Sequence, residues 1–273
     1  RITYSLVFVA DSAKPNKKLN DRKVLLIGNA IHHFYSYYGR LDDSTATMEE
    51  SKAGPNGRRG IEFPTGVCAE RYEIYNNYPV GEQTVIENIG LTHMFIYKDD
   101  SIPKWSFTSD TSTILNYFCH KAVCRYHGRS WEAWFTLDIP LDAGPWKLRG
   151  LPGLILKVSD SRQHYVFECI GIEKLKNPAP ILMYKAAHEA FLNSFPFPTR
   201  EDFLKKQRNF HENYMTVLLS MGYNIRILDD SGKQIELIES PNTEYAERNI
   251  SFSRSIYARD RNKKVPYNPI ELE

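Results

Sequence analysis

The chain has 273 residues, 35 of them basic and 33 acidic, for a net charge of +2. So even a balance excludes the basic footprint of a nucleic-acid binder, and no apolar run reaches the ~20 residues that cross a bilayer as a helix. Aromatic side chains are abundant, with 17 Tyr, 14 Phe and 4 Trp, which suits pleated, half-buried strands.

Residues 2–10, "ITYSLVFVA", open as a strand. Strands over 23–29 and 31–39 follow, parted by the turn signal Gly28-Asn29. The stretch 42–52 reads as a short helix and 53–60 as a loop. From there the strand signals come closely: 68–76, 82–89, 92–98, 103–108, 113–119, 121–127 and 131–137. In the last, Trp131, Ala133, Phe135 and Leu137 alternate with Glu132, Trp134, Thr136 and Asp138, the period of a half-buried strand. Strands at 154–159 and 164–173 close the series.

Residues 177–198 hold four prolines and read as a connection. A helix is expected over 199–221, capped by Thr199 with Glu201 and Asp202 in its first turn and an apolar stripe from Phe203 to Met221. A strand pair is expected within 224–238. The division this gives is one β-rich domain over 1–240 and a polar tail over 241–273, docked on the domain or extending from it.

"GPWKLRGLPGLILK" at 144–157 poses the main functional question. A phosphate loop needs a helix start and a Lys-Ser/Thr pair after its glycines. Here an apolar strand follows instead. Leu151-Pro152-Gly153-Leu154 fits a type II turn, with Gly153 at the position of positive φ. The four residues Gly150, Leu151, Pro152 and Gly153 thus read as a structural corner.

The four cysteines are Cys68, Cys119, Cys124 and Cys169. Cys119 and Cys124 share a strand and lie roughly 16 Å apart, too far to bridge. If disulfides form, Cys68 and Cys169 take those two as partners. Cys119, His120, Cys124 and His127 are the best copper or zinc candidates by chemistry, and His32-His33 is a second pair. On a flat strand the first four point to both faces and cannot converge. Arg129, Trp131, Trp134 and Trp146 gather residue types common at interaction hot spots, with Trp131 and Trp134 facing opposite ways. No Gly-x-Ser-x-Gly or His-Glu-x-x-His motif is present.

The block "CHKAVCRYHGRSWEAWFTLDIPLDAGPWKLRGLPGLIL" resembles the signature of the GLPGLI family of cell-envelope proteins from Bacteroidota. The matching positions are Cys119, Lys121, Ala122, Gly128, Arg129, Ala133, Trp134, Ile139, Pro140, Gly144, Pro145 and Lys147, together with 150–155. "VLLIGNAIHHFYS" and the closing "YNPIELE" are similar to other parts of that family. The resemblance implies an exported protein of largely β structure, placed in the periplasm or at the outer membrane, with no catalytic residues or cofactor to carry over.

The expected fold is mainly β (α+β): a curved antiparallel sheet or half-barrel packed on a long amphipathic helix, like the LolA-type lipoprotein carriers. The expected role is non-enzymatic, as accessory or ligand-binding partner of a TonB-dependent outer-membrane transporter or another envelope protein. A small apolar or peptide ligand would lie against the sheet. The alternatives are a periplasmic copper- or zinc-binding protein and a hydrolase. The start at Arg1 rather than at methionine fits a cleaved export signal or trimming.

Overall fold

The computed structural model describes residues 1–40, 72–89, 93–183, 198–220, 224–229, 233–241, 249–253 and 270–271. The short helix and loop expected over 42–60, and Cys68, lie outside them. Contacts divide the chain into two compact units. The first comprises Arg1–Asn88, Thr92–Arg200 and Asn268–Glu273; the second comprises Ile89–Leu91 and Glu201–Tyr267.

The first unit is built on an eleven-stranded sheet. Its strands are β1 (Ile2–Val9), β2 (Lys18–Ile27), β3 (His32–Ser36), β4 (Glu73–Asn76), β5 (Gln83–Ile89), β6 (His93–Lys98), β7 (Ser106–Ile114), β8 (Tyr117–Tyr126), β9 (Arg129–Thr136), β10 (Leu154–Asp160) and β11 (Tyr165–Ile172). The order is β6-β5-β4-β3-β2-β1-β11-β10-β9-β8-β7. Two meanders are therefore joined where β1 pairs β11, antiparallel from Ile2↔Ile172 to Phe8↔Tyr165.

Period-two alternation sets the buried face. Ile2, Tyr4, Leu6 and Phe8 of β1 are buried, as are Tyr165, Phe167 and Cys169 of β11 and Trp131, Ala133 and Phe135 of β9. At the bulge in β10 between Ile155 and Lys157, the buried Tyr4 hydroxyl donates to the Ile155 carbonyl at 2.7 Å. On β2 the same face carries Lys23 and Asp21, fully buried side chains paired at 3.0 Å, with the ammonium 4.0 Å from the Tyr72 ring centre.

Two turns position the β7–β8–β9 meander. Leu115 and Asn116 have φ of +49° and +65°, and His127 and Gly128 have +47° and +74°. Both pairs have the left-handed backbone of a two-residue hairpin whose twist matches its strands. The expected strands 113–119 and 121–127 are thus differently divided: one turn falls at Leu115-Asn116, and a single strand runs from Tyr117 to Tyr126.

The second unit carries α1 (Arg200–Glu212, with Arg200 in the first unit), α2 (Tyr214–Ser220), β12 (Asn224–Leu228), β13 (Gln234–Ile238) and β14 (Asn249–Ser253). The single long helix expected over 199–221 is two helices. They part at Asn213, whose side-chain amide donates to Asn209 Oδ1 at 2.8 Å. Asparagine is a weak helix former, although the Asn213 amide still bonds the Asn209 carbonyl and its carbonyl accepts from Val217, each at 2.9 Å. The single long helix of the LolA-like expectation is therefore not found; both helices belong, Arg200 apart, to the second unit. β12 pairs β13 antiparallel and β14 parallel, with Ile225 and Ile227 at the centre of a small core. Most of the tail expected over 241–273 lies outside the described residues. Among the described residues no helix is long and apolar enough to cross a membrane.

Candidate functional site

Of the stretch 144–157, residues 144–153 belong to the connection between β9 and β10, which is buried from Ala143 to Leu148. Positive φ falls on Gly150, at +91°, not on Gly153. The type II turn is thus corrected. Gly153 is required for another reason: a Cβ there would lie 2.0 Å from the Thr136 carbonyl oxygen, where β10 leaves beside the end of β9. The connection is pinned by Leu154 N–H to the Ile139 carbonyl at 3.0 Å and Ile155 N–H to the Ala143 carbonyl at 3.0 Å. The Gly150 amide also donates to Asp142 Oδ1.

Within this connection Trp146 has φ of +57°, a strained value for a bulky residue. Rings over-determine it: Trp131, Tyr126 and His127 lie 5.5, 5.7 and 5.8 Å from it, centre to centre. The result is that Lys147, the next residue, turns inward and is 1% exposed.

A buried ammonium needs a partner for each of its three donors. Lys147 Nζ donates to the Tyr97 hydroxyl at 2.9 Å, to Asp99 Oδ2 at 2.8 Å and to Glu271 Oε1. Tyr97 lies on β6, and Asp99 follows that strand directly. Glu271 accepts a further bond from Arg200 Nε at 2.5 Å on its other oxygen. Asp99 Oδ2 also lies 2.9 Å from His127 Nε2, and its Oδ1 accepts from the Ser101 hydroxyl. Tyr97 in turn donates to Glu87 Oε1 at 2.9 Å.

The charges follow from these contacts. Burial alone would raise the Asp99 carboxyl, but the bond from His127 and the Lys147 charge hold it far below the usual carboxylate range. Burial likewise acts to raise Glu271, and Lys147, His127 and Arg200 together pull it below its ordinary value. Burial would lower Lys147, yet Glu271, Asp99 and Glu87 keep it charged and raised. The Tyr97 hydroxyl is pushed well up by burial and by Glu87 and Glu271.

This cluster limits the chemistry available. Both carboxylates are ionised and fully bonded, so neither is a free proton carrier. Ser101, His127 and Asp99 do not form a nucleophilic relay, because the Ser101 hydroxyl (3.3 Å) and Asp99 meet the same imidazole nitrogen. Asp99, His127 and Glu271 bring ligand-type atoms within 4.8 Å of one another, but Lys147 Nζ already bonds both carboxylates. The positive charge at this place is the protein's own.

The sequence candidates fall as follows. Arg129, Trp131 and Trp146 are 3%, 0% and 1% exposed, so they pack the interior and do not present a surface. Arg129 donates to Asp160 Oδ2 at 2.9 Å and to the Ile270 carbonyl at 2.9 Å. Trp134 is half-buried on the other face of β9, with Lys121 Nζ 5.7 Å from its ring centre.

Cys119, Cys124 and Cys169 are buried free thiols. Burial pushes the Cys124 thiol up to about 12 and raises the other two. Cys119 and Cys124 point to opposite faces of β8, and His127 is taken up by Asp99, so the proposed Cys/His metal set does not assemble. His33 Nε2 lies 2.8 Å from Glu73 Oε2 and its ring stacks on Tyr75 at 4.1 Å; His32 is half-buried beside it. The residues that sequence reasoning missed are Tyr97, Asp99, Arg200 and Glu271. Lys147 carried a signal, a charge set between Trp146 and Leu148 in a Gly/Pro corner.

Away from the cluster, an apolar groove of about 800 Å³ is lined by Ile27, Ile31, Leu141, Ile172, Pro178 and Ile181, among others.

Residues 82–195 match the model of a protein family described as N-glycanase peptide, N-terminal domain. Two solved structures of PNGF-II, in space groups C2 and P21, align at 17% and 18% identity, each with a TM-score of 0.43. They cover 76% of this chain and 34% and 33% of their own, so the chain spans about a third of their length. No curated protein sequence matches the chain.

The family match corrects the functional reading of the sequence. The block 119–155, which carries the GLPGLI resemblance, lies wholly within the residues matched by the N-glycanase model. The assignment to the GLPGLI family is therefore withdrawn. With it go the non-enzymatic role, which had rested on that resemblance and on the lack of a catalytic motif, the partnership with an outer-membrane transporter and the TonB-dependent context.

Proposed function

We propose that this chain works in the hydrolytic removal of N-linked glycans from glycoproteins, as the N-terminal domain of an N-glycanase-type enzyme. The observation that carries this reading is the family match over 82–195. That span runs from the start of β5 through β11 and includes Asp99, His127 and Lys147. In this reading the bonded-out cluster is a rigid support that fixes the β9–β10 connection and supplies no reacting group. The expectation of export is kept, since N-linked glycoproteins are met chiefly outside the cytoplasm.

The test is a glycan-release assay on a denatured N-glycoprotein with the full gene product that carries this chain. Free glycan, together with aspartate where the glycosylated asparagine stood, is the expected result. Intact glycopeptide after prolonged incubation, with no binding of glycopeptide by the chain, would overturn the reading.

A further inference from the structure

Ile270 and Glu271 are 7% and 3% exposed, and three donors of the first unit hold them. Arg129 Nε donates to the Ile270 carbonyl at 2.9 Å. Lys147 Nζ donates to Glu271 Oε1, and the Tyr97 hydroxyl, whose proton goes to Glu87, lies 3.4 Å from the same oxygen. Arg200 Nε donates to Oε2 at 2.5 Å. These donors come from β9, the β9–β10 connection and the first residue of α1.

Two of these donors, Arg129 and Lys147, also have partners outside the segment. Arg129 is fixed by Asp160, which also accepts from the Tyr165 amide at 2.8 Å. Lys147 is fixed by Asp99 and by the strained backbone at Trp146. What remains is a cradle for one carboxylate, with a guanidinium aimed at the peptide carbonyl just before it.

We propose that this cradle is a docking site for an acidic peptide segment in which glutamate follows an apolar residue. The chain's own Ile270–Glu271 fills it, and an equivalent segment can replace it in trans. A segment of the same chain competes as an intramolecular ligand, so free peptide gains access only when that segment is weakened. The site is independent of the glycanase reading, and neither outcome there bears on it.

The experiment uses the full chain carrying Glu271→Gln and a fluorescein-labelled peptide of sequence NPIELE. Fluorescence polarisation should show saturable binding to the variant and at least ~10-fold weaker binding to the unchanged chain. The same peptide with glutamine in place of its first glutamate should not bind. Absence of binding to a folded variant sinks the proposal. If the variant does not fold, the unchanged chain is challenged with excess photo-crosslinking peptide. An adduct mapping beside Arg129 or Lys147 supports the site, and no adduct at any excess overturns it.

Discussion

Lys147 is the residue on which the first unit turns. Its ammonium is buried and its three donors are all used, so the ion is stable only with its acceptors in place. Lys147→Met keeps much of the volume but leaves Asp99 and Glu271 as buried charges short of a partner. The expected cost is about 3–5 kcal/mol, read from the midpoint of urea unfolding at constant slope. Adding Glu271→Gln to Lys147→Met should restore part of that loss, because one stranded charge is removed. A double variant as unstable as the sum of its single changes would refute the coupling. The cluster was hidden in the sequence for a plain reason. Its acceptors lie 50, 48 and 124 residues from Lys147, beyond any local period, and nothing about "YKDD" or "PIELE" marks them as buried.

The strands were far more legible, because alternation is a local signal. The alternation from Trp131 to Phe135 is that of β9, though it fails at its end, where Thr136 is buried and Leu137 exposed, and Gly28-Asn29 marked the β2–β3 turn. The errors fell where the backbone departs from residue preference. Leu115 adopts φ of +49° in the β7–β8 turn, a conformation leucine avoids, so no turn was expected there. Leu115 is 44% exposed, and asparagine tolerates that backbone better. Leu115→Asn should therefore raise stability by about 1 kcal/mol in thermal or urea unfolding. Gly153 was given the wrong reason, since it accommodates the Thr136 carbonyl and not a positive φ. Gly153→Ala forces backbone against backbone between β9 and β10 and should cost at least ~1–3 kcal/mol. A Gly153→Ala chain as stable as the parent would show that the two strands part more easily than this packing implies.

The motif that drew the sequence reading to the wrong family is explained by the same packing. Its glycines, its two prolines and its buried Trp146 serve a crowded connection between two strands, so they report on fold and not on chemistry. For the whole molecule the ionisable groups of the sheet point to one testable behaviour, loss of stability in acid. Asp99 and Glu271 have folded pKa values below their ordinary ones, as does Glu73, where burial is outweighed by His33 and Arg40. Such groups stabilise the fold above about pH 4, the unfolded carboxylate value, and that contribution is lost as pH falls through the folded values. His33 is lowered by burial despite its bond to Glu73. It is a neutral imidazole donating to an ionised carboxylate, so its contribution is full above about pH 6.5 and declines below that. The signs agree. Melting temperature should slip first as pH drops below about 6.5, where His33 is forced to charge, and fall steeply below about pH 4. Replacing His33 with glutamine, which can still donate to Glu73, should shrink the first decline, leaving the share of His32, whose pKa burial also lowers, and leave the second. A single decline, unchanged in His33→Gln, would mean that the imidazole does not report on folding, and that the carboxylates bonded to Lys147 and its neighbours carry the acid response alone.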